Sequence, residues 1–369
     1  MHSKTLRTLS LVLIACAVAV TVSAAPIKFA RYPHVGNGKL VFSYHNDIWV
    51  ANEDGSSPVR LTAHIARDTF PRLSPDGKWV AFSSNRLGND DVYVVPTTGG
   101  EPRQLTFNTS ADTVLYWTPD GKRIIFATSL GARPFGSPLY AVPFDGGIPE
   151  PLDMDVGRYG MIKQDGSMLA FNRMAPSYWR KGYKGNAADS IWVQDLKTKQ
   201  ISRLTNSDPK TFRDRRHDTM PMWGADGLIY FLSERGGTFN IWKISPKGGQ
   251  PTQVTFDKTD GIQYPSMSPD GKTIAYESDF GLWTLKIPDG KPKAVTVDMA
   301  FDPKLNLVDV LSSKGKPDGF APSPDGDYVA VDYLESTDFS STLIPPSWQS
   351  AFSISTPRCS RRSTARSDS

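Results

Sequence analysis

The 369-residue sequence is short of cysteine, histidine and unbroken apolar length, and each shortage excludes a class of protein. Its 2 cysteines are Cys16 and Cys359, near the two ends, so the body between them has no thiol for a disulfide, a zinc cluster or a nucleophile. The 5 histidines, His2, His34, His45, His64 and His217, are never spaced as paired metal ligands, and no His-Glu-x-x-His occurs. A Gly-x-Ser-x-Gly elbow is also missing. Gly146-Gly147 and Gly248-Gly249 follow strand-like segments but open no helix, so they do not make phosphate loops. No catalytic residue, metal site or cofactor is therefore expected. The formal charge of +4 comes from the ends, Lys4 and Arg7 at one and Arg358, Arg361, Arg362 and Arg366 at the other. The body has no basic face on which nucleic acid would bind.

The one long apolar run, Leu9 to Val22, is fourteen residues and too short to span a membrane. It follows Lys4 and Arg7 and ends in Val22-Ser23-Ala24, the order of a signal peptide cleaved after Ala24. Residues 1–24 are thus predicted to export the chain to the periplasm or beyond. Leu13-Ile14-Ala15-Cys16 offers the alternative of a lipid on Cys16, but the apolar run continues past that cysteine.

What the sequence has in quantity is glycine (30), proline (29) and tryptophan (9), the mixture of short strands and tight turns. One cassette repeats. Its clearest copy is Ser74-Pro75-Asp76-Gly77-Lys78, the strand Trp79–Ser83, the segment Asp91–Val95, Gly99-Gly100, and a short strand ending Leu105-Thr106. Ser, Pro, Asp and Gly in that order suit the four positions of a type I turn. Anchors recur at Pro119-Asp120-Gly121, Gln164-Asp165-Gly166, Ala225-Asp226-Gly227, Pro269-Asp270-Gly271 and Pro324-Asp325-Gly326, spaced by 44, 45, 61, 44 and 55, with a degenerate Gly36-Asn37-Gly38 in front. Exits recur in step at Leu61-Thr62, Leu204-Thr205, Val254-Thr255 and Val295-Thr296. A four-stranded unit of this length is one propeller blade. The fold class is all-β: residues 27–297 are expected to form a six-bladed β-propeller of four-stranded antiparallel blades. Residues 298–335 would be a linker and the incomplete start of a second propeller, a fragment of a following β unit. A seven-bladed ring is the rival, with an exposed edge on its half blade.

Two features could bind. Asp68-Thr69, Asp112-Thr113, Asp218-Thr219 and Asp260-Gly261 precede anchors and open innermost strands, so Asp68, Asp112, Asp218 and Asp260 are predicted near one mouth of the channel. They would form a collar for a cation or a peptide amine, or cap turns and tie blades. The long interval of 61 contains an insertion between Phe171 and Ile191 in a hairpin loop of the fourth blade, where Tyr178, Trp179, Arg180 and Lys184 suit either a basic, aromatic lip for a peptide or partner domain or a long surface hairpin whose aromatics pack on the blade. The charge run Arg213–Asp218 reads as a solvated loop with internal ion pairs.

The cassette resembles the repeats of the Tol-system periplasmic propeller and of prolyl-oligopeptidase-like and tricorn proteases. A narrower resemblance, over about residues 27–334, is to the N-terminal six-bladed propeller of tricorn proteases, carried by Arg31-Tyr32-Pro33-His34, Asp47-Ile48-Trp49-Val50, Tyr178-Trp179-Arg180-Lys181, Asp218-Thr219-Met220-Pro221-Met222-Trp223 and Asn240-Ile241-Trp242. That resemblance implies a non-catalytic module that gates or docks oligopeptides or partner domains for a serine peptidase. It also implies a homo-oligomer in the full-length context. Arg133 becomes a candidate for a peptide carboxylate. A stand-alone periplasmic scaffold like the Tol-system propeller is the alternative. From Ser336 the repeat stops, serine and arginine crowd the end, and residues 336–369 are expected to be disordered or the product of a truncated or shifted frame.

Overall fold

The computed structural model describes residues 25–130, 137–174, 182–185, 188–206, 215–299, 319–322 and 329–332. They are strands and turns, with no helix among the described residues. Six sheets of four strands follow one another, and in each the strands pair in chain order and antiparallel. The innermost strands are Arg31–Gly36, Asp68–Leu73, Thr113–Trp117, Tyr159–Ile162, Asp218–Trp223 and Gln263–Met267. The fold is thus the six-bladed, all-β propeller expected from the repeat.

Each repeated motif has a hydrogen-bonding reason. In the anchor of the second blade, Ser74 Oγ donates to Asp76 Oδ1 at 2.6 Å and accepts from the amide of Trp79 at 3.0 Å, while Asp76 takes the amide of Lys78 at 3.1 Å. Thr118 with Asp120 and Ser268 with Asp270 repeat the arrangement. Gly77 closes the turn at φ +69, which only glycine adopts without strain. At the exits, the hydroxyls of Thr62, Thr106, Thr205 and Thr255 accept the amides of Ile48, Val92, Ile191 and Ile241 at 2.8–3.0 Å. The threonine therefore fastens the short outer strand to the start of the third strand.

Strand residues are buried on both faces because every sheet is covered by two neighbours. Among the described residues, six apolar clusters occupy the six seams. Val41, Phe82 and Tyr93 meet between the first and second blades, and Phe42, Ala275 and Val297 between the first and sixth. The ring closes without exchanging a strand. Ala25–Pro26 pairs with Asp298–Met299, and the amide of Ile27 donates to the Val297 carbonyl at 3.0 Å.

Residues 306–369 belong to a second unit. In it Gly319–Pro322 and Val329–Asp332 form a two-stranded antiparallel sheet. The seven-bladed count is removed by the ring itself, whose first and sixth blades share an apolar seam. Residues 1–24 and 336–369, with their predicted signal peptide, lipid site and tail, lie outside the described residues.

Candidate functional site

Antiparallel pairing in chain order places every connection from an outer strand to the next inner strand on one face, together with the hairpins between second and third strands. Of the candidate residues, Asp68, Asp112, Asp218, Asp260 and Lys184 are described and lie on that face. Asp68, Asp112 and Asp218 are each 0% exposed. Asp68 receives Arg86 Nη2 at 2.9 and 3.1 Å, and Arg86 is steadied by Ser84 Oγ at 2.9 Å. Arg235 does the same for Asp218, with Nε at 3.1 Å and Nη2 on the other oxygen. Asp112 takes the Asn108 amide at 2.8 Å, and burial raises its pKa against the hydroxyls of Thr128 and Thr106.

Asp260 is exposed and out of register with these. Pro71 and Pro221 follow Asp68 and Asp218 by three residues, whereas Pro265 follows the buried Ile262 by three. The four carboxylates do not form one solvent-facing ring: three are internal ties and one stands free on a loop. Lys184 is exposed on the insertion, which joins Met168–Asn172 to Trp192–Asp195. Arg133, Tyr178, Trp179 and Arg180 lie outside the described residues. In the charge run, His217 and Asp218 are buried and not solvated, since the Asp189 amide donates to His217 Nδ1 at 3.3 Å.

The mouth between the first and sixth blades carries more chemistry. Arg31 Nε donates to Glu277 Oε2 at 2.6 Å, and the Tyr32 amide to Oε1 at 2.6 Å. Burial pushes the Glu277 pKa up to about 7, opposed by Arg31 and the Tyr32 amide. The Arg31 guanidinium lies 5.3 Å from the ring of Tyr32 and 5.1 Å from that of Tyr264, and Tyr32 stacks on Phe70 at 4.1 Å. Tyr32, Phe70 and Tyr264 each precede a proline at a β-bulge and sit at positive φ, a strained conformation held by the paired strands. Beside them a cavity of about 410 Å³ is bounded by Phe29, Arg31, Asp260, Glu277, Asp279 and Phe280. Phe29 and Phe280 pack at 5.1 Å yet stay 63% and 56% exposed. An acidic cavity beside an apolar ledge suits an amine on an uncharged chain.

On the axis the innermost strands enclose a small cavity of about 50 Å³, room for a few waters at ~10–15 Å³ each. His34, Arg72, Tyr116, Tyr159 and the methionines Met161, Met220, Met222 and Met267 line it. No group of three or more histidine, cysteine or acidic side chains among the described residues could hold a metal ion.

Sequence reasoning missed Arg31, Glu277, His34 and Arg72. A usable signal was present in Tyr32-Pro33, Phe70-Pro71, Met220-Pro221 and Tyr264-Pro265, a second repeat on the innermost strands.

Comparison with known proteins agrees with this architecture. The chain is 31% identical over 282 residues to "Tricorn protease homolog 1" of Streptomyces coelicolor, covering 74% of this chain and 25% of that protein. It is 26% identical over 262 residues to "Tricorn protease homolog" of Saccharolobus solfataricus, covering 68% and 23%. The chain thus spans about a quarter of the length of these relatives. Among solved structures, that of the tricorn protease matches with a TM-score of 0.64 at 20% identity, over 83% of this chain and 29% of that one, a likeness of fold. Residues 27–291 match the tricorn protease N-terminal beta propeller domain, and the chain belongs to that family.

Proposed function

We propose that this propeller is the non-catalytic docking and gating module of an exported, tricorn-type peptidase system, and that it holds peptides by their amino end at the mouth between the first and sixth blades. The observation that carries this reading is the cavity bounded by Asp260, Glu277 and Asp279 beside the exposed Phe29–Phe280 pair. Three carboxyl groups around one base leave a site with affinity for an ammonium group, and the ring edges accept side chains without selecting among them. The exposed Lys184 offers a second, basic contact for the peptide's other end.

Equilibrium titration of tri- to octapeptides against the full chain tests this reading. Binding that weakens as salt rises from 50 to 500 mM is expected, because the screening length for partly exposed charges falls from ~14 to ~4 Å in that range. No binding at millimolar peptide would overturn it.

A further inference from the structure

A second site lies on the axis itself and is of opposite sign. Arg72 stands in the innermost strand of the second blade and is 8% exposed. Its Nε donates to the Leu115 carbonyl at 2.7 Å and Nη1 to the Pro71 carbonyl at 2.8 Å. A guanidinium has five N–H donors, so three are left, and Arg72 borders the axial cavity. None of the ion pairs among the described residues involves Arg72. Arg60, Arg86 and Arg235 each face a buried carboxylate, of Asp47, Asp68 and Asp218, and Arg72 faces none.

The rest of the lining contributes donors and no negative charge. No aspartate or glutamate borders the cavity. His34 is held neutral, and Tyr159 remains a protonated phenol, since burial pushes its pKa up to about 12. Tyr116 accepts the Ile162 amide at 2.8 Å through its hydroxyl oxygen, which leaves its proton to donate. A lone cation in so small a space is costly unless an opposite charge accompanies it.

We propose that the propeller axis holds one compact monoanion, of the size of chloride, bromide or nitrate, bound by Arg72 with the hydroxyls of Tyr116 and Tyr159. One buried cation matches one negative charge, so a dianion such as sulfate or phosphate would bring a second charge with no partner in the lining. The anion ties the second, third and fourth blades at their innermost strands, and this role does not depend on peptide docking at the outer mouth.

Thermal unfolding of the full chain, at constant ionic strength and pH, with sodium gluconate replaced stepwise by bromide or nitrate, tests the proposal. The melting temperature should rise and saturate with bromide, show only the non-saturating rise of an excluded salt with sulfate, and lose its saturating bromide dependence in Arg72→Met. Tyr159→Phe should raise the half-saturating bromide concentration about 3- to 10-fold. Should Arg72→Met fail to fold, bromide-soaked crystals of the unaltered chain decide, through an anomalous peak within hydrogen-bonding reach of Arg72. Equal melting curves in gluconate and bromide, a bromide response that survives Arg72→Met, or an axis without the peak would each overturn it.

Discussion

The amide of Leu73, in the second blade, donates to Nδ1 of His34, in the first, at 3.1 Å. Because Nδ1 accepts, Nε2 carries the ring proton and donates to the Met267 carbonyl of the sixth blade at 3.0 Å. One imidazole thus joins three blades, and it does so only when neutral.

Burial, helped by nearby Arg72 and opposed by the Met267 carbonyl, lowers the His34 pKa to about 3. An unfolded histidine titrates near ~6.5, so between these values the unfolded chain binds the extra proton. His34 should therefore cost stability as pH falls from about 6.5 to about 3. Glutamine can keep one acceptor and one donor at this site. Denaturant unfolding of the parent and His34→Gln should give a stability difference that is flat above pH 7 and shifts against the parent below pH 6, by up to ~1.4 kcal/mol per pH unit.

Glu277 works in the opposite sense. Its folded pKa of about 7 lies above the ~4.3 of an unfolded glutamate, so the folded chain holds the extra proton in between. The stability that this group contributes is complete below pH 4 and is lost as pH rises through 7. Glu277→Gln should remove that decline, so that the parent loses stability relative to the variant from about pH 4 to about pH 7 and runs parallel above pH 8. A difference that grows in the parent's favour over this range would contradict the assignment.

Arg86 faces an Asp68 carboxylate with no exposed surface. Arg86→Met leaves that charge buried without its partner and should destabilise the chain by about 3–5 kcal/mol, read from urea unfolding. The double variant Arg86→Met, Asp68→Asn should recover much of the loss. Destabilisation below ~1 kcal/mol would show that the pair is solvated.

The exit threonines make a cleaner test of the repeat. Thr106 is 0% exposed and its hydroxyl accepts the Val92 amide at 2.9 Å. Thr106→Val preserves shape but strands that amide, for an expected cost of about 1–3 kcal/mol. Val92 should also lose hydrogen-exchange protection. A neutral substitution would mean that the repeated threonine has no role in fastening the outer strand.

The blade count was legible because turns and exits need particular residues at particular places. Ser74, Asp76 and Gly77 serve one turn, Thr106 fastens one strand, and the same chemistry recurs around the ring. The role of the Asp-Thr pairs was not legible, because Arg86 and Arg235 return across a hairpin 18 and 17 residues after Asp68 and Asp218. Only folding shows that the cation meets the acid. Asp260 resembled its counterparts by neighbouring residues, yet the position aligned on proline is Ile262. The cavity at the first and sixth blades was invisible for a topological reason, since Arg31 and Glu277 are separated by 246 residues.

Peptide docking by the amino end is tested most directly by a binding cycle. A tetrapeptide and its N-acetylated form are titrated against the parent chain and Asp260→Asn at pH 7.5, where Glu277 is largely ionised and the peptide amine, with a pKa near ~7.7–8.0, is still largely protonated. Acetylation and Asp260→Asn should each weaken binding about 3- to 10-fold, and the two together should weaken it little further, because they remove the same contact. Equal affinity for the free and acetylated peptides, or losses that multiply, would contradict a peptide held by its amine at this mouth.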